Sequence, residues 1–201
     1  MSDFLFLCRE IIKGKSVTRA FLNLRLADVT LEGKVIDIGG GKNADYINFI
    51  KRGTDVAFET LDVKVGFQVD FETDALPLAD GMFDTVLFLN VLEHIFNHQH
   101  ITTELVRVLK TDGKLIGFVP FLMWYHADHR DFFRYTHEAL HIILKKAGAT
   151  HIEIEPVSYG PFTAASQMVT QILPRFLAVI VFSVNYLFDT LFLKLRPAQK
   201  G

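Results

Sequence analysis

Cysteine is all but missing. Cys8 stands alone in 201 residues, which excludes an internal disulfide and suits a reducing compartment. No Cys–His signature surrounds it, so it reads as a small core residue rather than a nucleophile. An excess of positive charge is lacking too. Lysine and arginine number 21 against 23 aspartates and glutamates, with no basic block, and no nucleic-acid partner is expected. The first apolar run lacks the preceding basic residues and the small-residue cleavage site of a secretory signal. Polarity is in short supply. Mean hydropathy is +0.25, phenylalanine occurs 19 times, and the apolar excess gathers at the two ends. The length allows one α/β domain with additional elements.

What is present centres on residues 35–43, VIDIGGGKN. Apolar, β-branched residues running into three glycines predict a buried strand and a tight turn. Residues 44–51 carry Tyr46, Ile47, Phe49 and Ile50, which predicts a short helix on a sheet. A strand, a glycine turn and a helix start make a ligand cradle, because glycine lets a ligand lie against the backbone. Gly39-x-Gly41-x-x-Ala44, with Asp62 about 20 residues on, also satisfies a dinucleotide fingerprint. Asp37 discriminates between the two cofactor classes. A carboxylate at the strand end repels a pyrophosphate and attracts a ligand carrying an ammonium and a sulfonium, as S-adenosylmethionine does. Here the sequence resembles the class I methyltransferases, whose first motif is an acidic residue followed by Gly-x-Gly.

Residues 56–63, VAFETLDV, predict a second strand. Asp62 at its end is placed to accept from both ribose hydroxyls. Next come an acidic loop, Leu76-Pro77, an Asp80-Gly81 turn, a third strand at 85–89, and Asn90-Val91-Leu92-Glu93-His94-Ile95. This order resembles the methyltransferase pattern of acidic loop, "LPF-acid-x-x-FD", strand and "LEH". The resemblance implies that Asp70 with Phe71 holds the adenine edge, with Glu72 and Asp74 as competitors, and that Asn90 faces the methyl donor. His94 reads as structural or as a base. Residues 63–66 leave room only for a loop where many family members have a helix. Residues 114–120, KLIGFVP, predict a further strand after the Lys110-Thr111-Asp112-Gly113 turn. The alternation implies a doubly wound, mostly parallel sheet, a Rossmann-like methyltransferase fold with extra N-terminal and C-terminal helices.

Residues 121–136 gather aromatics with His126, Asp128, His129, Arg130, Asp131 and Arg134 after a strand's carboxyl end. The run resembles "H-x-x-D-[YF]-[WF]-R-[YF]-T-x-x-[AG]-L" in methyltransferases of the type 11-like branch associated with bacterial polysaccharide and glycan synthesis. It reads as a substrate wall, with His126 or His129 as the base and Arg134 fixing the loop or an acidic sugar. An Asp131–Arg134 core ion pair is the bland alternative. Metal binding by His126 and His129 with Asp128 or Asp131 is the alternative; the methyl donor needs no metal and no third ligand cluster is evident, so no metal is expected. Residues 151–157, HIEIEPV, alternate as a strand would.

Three segments follow: 1–30 helical, 31–160 the S-adenosylmethionine-binding domain, and 161–201 an apolar helical extension. Pro174 is expected to split the extension into two helices. A helical hairpin is favoured over a membrane-spanning helix, which would bury Asp189. The function expected is methyl transfer to an oxygen or nitrogen of a small-molecule or glycan acceptor. The rivals are a nicotinamide-dependent oxidoreductase and a non-catalytic, membrane-associated scaffold. The expected setting is cytoplasmic, peripheral at an inner membrane face, with the C-terminal helices meeting a membrane surface or a second copy.

Overall fold

In the computed structural model, residues 2–41, 44–61, 69–127 and 130–195 are described. Strands β1 (Thr30–Leu31) and β3 (Lys51–Arg52) pair as a short parallel ribbon. The main sheet holds β2 (Lys34–Ile38), β4 (Ala57–Leu61), β5 (Phe83–Leu89) and β6 (Leu109–Phe118). Its order is β4-β2-β5-β6, and every neighbouring pair is parallel. The sequence explains the order. KVIDI and FDTVLFL are almost wholly buried, as strands covered on both faces must be, and they lie at the centre. AFETL is mostly exposed and forms an edge. From β2 the chain goes to β4 on one side, then returns past β2 to β5 on the other. The β2/β5 boundary is therefore the switch point where a crevice opens at the strand carboxyl ends.

Helix α3 (His98–Arg107) makes the β5–β6 crossover, and α4 (His137–Lys146) packs on it. Thr136 caps α4 by accepting from the Ala139 N–H at 3.3 Å, and Gly148 at φ 102° follows its end. The turn at 110–113 bulges within β6, with Asp112 at φ 64°. Ile36, Ile38, Phe83, Val86, Ile101 and Leu105 anchor the core.

Arg107 ties α3 to the loop ahead of β5. It donates to both Glu104 oxygens at 2.8 and 2.7 Å, to the Leu76 and Leu78 carbonyls at 3.1 and 2.9 Å, and to Asp80. Glu104 also accepts from the Leu76 N–H at 2.7 Å. The Arg107 bond holds the Glu104 carboxyl below its usual range, against the opposing effect of burial. Its stabilisation is therefore present above the unfolded carboxyl value and is lost as pH falls through the lowered folded one. Arg107→Ala is expected to cost about 2 kcal/mol in urea unfolding at pH 7, because it strands a buried carboxylate. The cost should shrink in acid.

Two compact units divide the chain. Thr30–Phe121 with Tyr125–Ile154 form the sheet unit, and Met1–Val29, Leu122–Trp124 and Glu155–Gly201 form a helical unit. The helical unit packs α1 (Asp3–Ile12), α2 (Val17–Leu26), α5 (Pro161–Thr170) and α6 (Arg175–Leu195) around Leu7, Ile11, Phe21 and Phe182. Both apolar ends of the sequence thus share one core. Asp189 is buried on α6, and its carboxylate accepts from the Phe162 and Thr163 N–H groups at 2.9 and 2.7 Å, capping α5. A Cβ on Gly160 would stand 2.5 Å from that carboxylate.

Two local expectations differ from the structure. Residues 44–51 form a single 3-10 turn, Asp45–Asn48, followed by β3, because Tyr46 turns inward to bond Asp37. HIEIEPV forms no strand. Pro156 cannot donate to a ladder, and Glu153 and Glu155 stay exposed. The expected loop at 63–66 lies outside the described residues.

Candidate functional site

The crevice begins with the glycine turn after β2. Gly39 and Gly41 hold φ of 79° and 72°, a region that L side chains rarely enter. The Gly39 N–H donates to the Leu61 carbonyl at 2.8 Å, tying the turn to β4. Asp37 is fully buried directly beneath the turn, and its Oδ2 accepts from the Tyr46 hydroxyl at 2.7 Å. A Cβ on Gly40 would lie 2.1 Å from that oxygen and 2.2 Å from the Tyr46 hydroxyl. Asp37 therefore faces the turn from below rather than open solvent. Its charge acts through bare backbone, where screening by water is weak.

The second wall follows β5. Asn90 adopts φ 57° and donates its N–H to the Phe118 carbonyl at 2.9 Å. The next residue, Val91, meets the glycine turn, since a Cβ on Gly39 would stand 2.7 Å from its Cγ2. A 3-10 turn, Leu92–His94, comes next. Glu93 is fully buried, and neither carboxylate oxygen has a hydrogen-bond partner among the described residues. Burial pushes its pKa up to about 7, opposed by its own backbone N–H and the Arg134 charge and reinforced by the Asp131 charge.

The aromatic segment is pinned onto this turn. The Phe132 N–H donates to the Glu93 carbonyl at 2.9 Å, the Tyr135 hydroxyl to the Leu92 carbonyl at 3.2 Å, and His94 Nδ1 to the Arg130 carbonyl at 2.5 Å. Asp131 accepts from both terminal nitrogens of Arg134 at 2.6 and 2.7 Å and from the His126 N–H at 2.9 Å. The Arg134 bond holds the Asp131 carboxyl well below the usual range. Arg134 thus fixes the loop. The His126 and His94 rings meet edge to face at 5.3 Å.

Of the sequence's cofactor residues, Asp37, Gly39, Gly40, Gly41 and Asn90 come together at the β2/β5 switch point. Asp70 lies exposed in a self-bonded turn and accepts from the Glu72 N–H at 2.9 Å. Phe71 is a core residue, which leaves little of its ring to cover a ligand. Glu72 accepts from the Phe96 and Asn97 N–H groups at 2.8 and 2.7 Å, a structural duty. Asp62, Asp128 and His129 lie outside the described residues. Glu93 was not singled out from the sequence, although an acid in the first turn after a buried strand was its signal.

Residues 37–117 match the family model described as a methyltransferase domain. S-adenosylmethionine is the cofactor that goes with such a domain. No curated protein matches the chain. The [4+2]-cyclase SpnF is similar in structure at 18% identity, with a TM-score of 0.51 over 90% of this chain and 76% of its own. A SAM-dependent methyltransferase from Aquifex aeolicus is 19% identical, with a TM-score of 0.48 over 70% of this chain and 87% of that one. A putative methyltransferase from Haloferax volcanii, solved with the Trm112 activator, is 19% identical, with a TM-score of 0.46 over 65% of this chain; the match spans 66% of its own length, just under two thirds. The fold is Rossmann-like, as the sequence implies, and the domain match favours neither the nicotinamide nor the scaffold reading. A cyclase on this fold shows that architecture alone does not set the reaction.

Proposed function

We propose that the protein transfers the methyl group of S-adenosylmethionine to an oxygen or nitrogen of a small-molecule or glycan acceptor. One observation carries this reading: Val91, the residue before the Leu92–His94 turn, abuts Gly39, so the glycine turn and the polar cluster adjoin. The residues fit the cofactor. Gly40 lacks the Cβ that would strike Asp37, and a buried carboxylate beneath the turn favours a cationic ligand over a pyrophosphate. Asp62 is assigned to the ribose, Asp70 to the adenine edge and Asn90 to the donor side.

When bound, S-adenosylmethionine supplies a methyl already activated on sulfonium sulfur. The chain's work is alignment and exclusion of water. An acceptor hydroxyl must lose a proton, and the cluster of Glu93, His94 and His126 stands at that wall, with His129 as the sequence's other base candidate. Arg134 holds the wall in place through Asp131. Support for a glycan acceptor is the H-x-D-F-F-R-Y-T run at 129–136, which resembles the pattern of that branch with one residue fewer between histidine and aspartate. Mass spectrometry of small molecules released from the purified, denatured protein tests the reading. S-adenosylmethionine or S-adenosylhomocysteine is expected, and a nicotinamide dinucleotide would overturn it.

The same proposal places the protein in the cytoplasm, peripheral at a membrane. Helix α6 is long and apolar enough to cross one, with mean hydropathy 2.0. Phe176, Ile180, Val184, Leu187, Leu191 and Leu195 are exposed at helical spacing along it. Asp189 engages α5, which suits a helix lying on a surface within its hairpin rather than spanning alone. Cosedimentation with anionic vesicles is expected, with severalfold less bound after Phe176→Ser and Leu187→Ser together.

A further inference from the structure

We propose that Glu93, His94 and His126 hold one divalent transition-metal ion. A carboxylate oxygen and two imidazole nitrogens lie within 4.8 Å of one another on one wall of the crevice.

Glu93 is fully buried and neither oxygen is satisfied by a hydrogen bond among the described residues. Buried carboxylates almost always have partners, and a cation at this point supplies one. The His94 ring is already oriented for ligation. Its Nδ1 bonds the Arg130 carbonyl, which leaves the Nε2 lone pair 3.7 Å from Glu93 Oε1. A second ring nitrogen donating to a carbonyl is the outer-shell arrangement that metal-bound histidines have. His126 Nδ1 stands 3.7 Å from Asp131 Oδ2, beyond a hydrogen bond but beside a carboxylate that Arg134 locks and that accepts from the His126 backbone N–H. Ligand bonds of about 2.0–2.2 Å require donors roughly 3–3.5 Å apart, so the cluster must tighten. The His126 side chain is 34% exposed, and a shift of its ring toward Glu93 closes that distance.

The donor set selects the ion. Two imidazoles and one carboxylate favour zinc, cobalt, manganese or ferrous iron over magnesium or calcium, which prefer all-oxygen sites. Three protein ligands leave positions open for acceptor oxygens. An ion-bound hydroxyl is far more acidic than a free one. Its O–H bond breaks with the proton passing to water. The freed oxygen pair forms the O–CH3 bond, and the C–S bonding pair returns to sulfur. That role rests on the methyltransferase reading; ion binding itself does not. With the ion in place, His126 acts as a ligand rather than the base.

The test uses the full chain stripped with a chelator and titrated with Co2+. One equivalent should bind with visible d–d absorption, be displaced by Zn2+ and be unaffected by excess Mg2+. Glu93→Gln and His126→Asn should each weaken binding at least tenfold, with far-UV circular dichroism confirming the fold. The two variants act separately, so misfolding of one leaves the other to decide. No absorption, or equal binding in a folded variant, overturns the site. Calorimetry with S-adenosylmethionine on the same stripped samples separates the two ideas. Cofactor bound without cobalt removes the ion site alone, whereas cobalt bound without cofactor removes the methyltransferase reading alone.

Discussion

Glu93→Gln is expected to stabilise the metal-free protein at pH 8 by about 2–3 kcal/mol, raising its melting temperature by roughly 5–10 °C. The folded pKa of Glu93 is raised from 4.5 to about 7. A carboxyl with a raised folded value contributes stability that is fully present below 4.5, declines between 4.5 and 7, and is lost above 7. The buried charge is the cause, since Glu93 is fully buried and no other described residue donates a hydrogen bond to its carboxylate. Glutamine keeps the shape without the charge. It still buries an amide, which is why the gain falls short of the full linkage. The groups facing Glu93 are His94, His126, Asp131, Arg134 and Tyr135, and all are unchanged in the variant. At pH 5 the difference between the two proteins should nearly close. Thermal melts at both pH values in chelator measure it, and equal melting at pH 8 contradicts the buried-charge account.

Gly40→Ala is expected to cost about 1–3 kcal/mol of stability and at least tenfold in S-adenosylmethionine affinity. The added Cβ falls 2.1 Å from Asp37 Oδ2 and 2.2 Å from the Tyr46 hydroxyl. Neither neighbour yields easily. Asp37 is fully buried, Tyr46 nearly so, and the two are bonded to each other at 2.7 Å. The methyl therefore lifts the turn or breaks that bond, and either change alters the surface on which the ligand lies. A matched Gly53→Ala change is the control, because a Cβ there meets its nearest neighbour at an ordinary 3.4 Å. Calorimetry and urea unfolding of both variants measure the two effects.

The sheet was legible because its central strands are mostly apolar, β-branched and aromatic runs followed by glycine or asparagine. KVIDI and FDTVLFL leave no other home than a covered parallel sheet. Pro174 did separate two helices, α5 and α6. What pattern could not supply was partnership. HIEIEPV alternates like a strand, yet alternation says nothing about whether a ladder partner exists. The two apolar ends read as separate segments, and only folding shows that Phe21 and Phe182 share a core. In the candidate site, the glycine turn and Asn90 singled out by spacing lie at the carboxyl ends of β2 and β5. Spacing missed Glu93 because a glutamate is expected at a surface, and its burial comes from the aromatic segment 130–135 folding over the Leu92–His94 turn. Phe71, expected beside a ligand, packs in the core cluster, a burial that spacing alone does not reveal.

The central claim is that a glycine turn set over a buried acid takes a cationic adenosyl ligand. Isothermal calorimetry of the purified chain with S-adenosylmethionine and, separately, NAD tests it most directly. One equivalent of S-adenosylmethionine binding at micromolar or better affinity, with NAD at least a hundredfold weaker, is the predicted result. Tighter binding of NAD, or no binding of either, would contradict it.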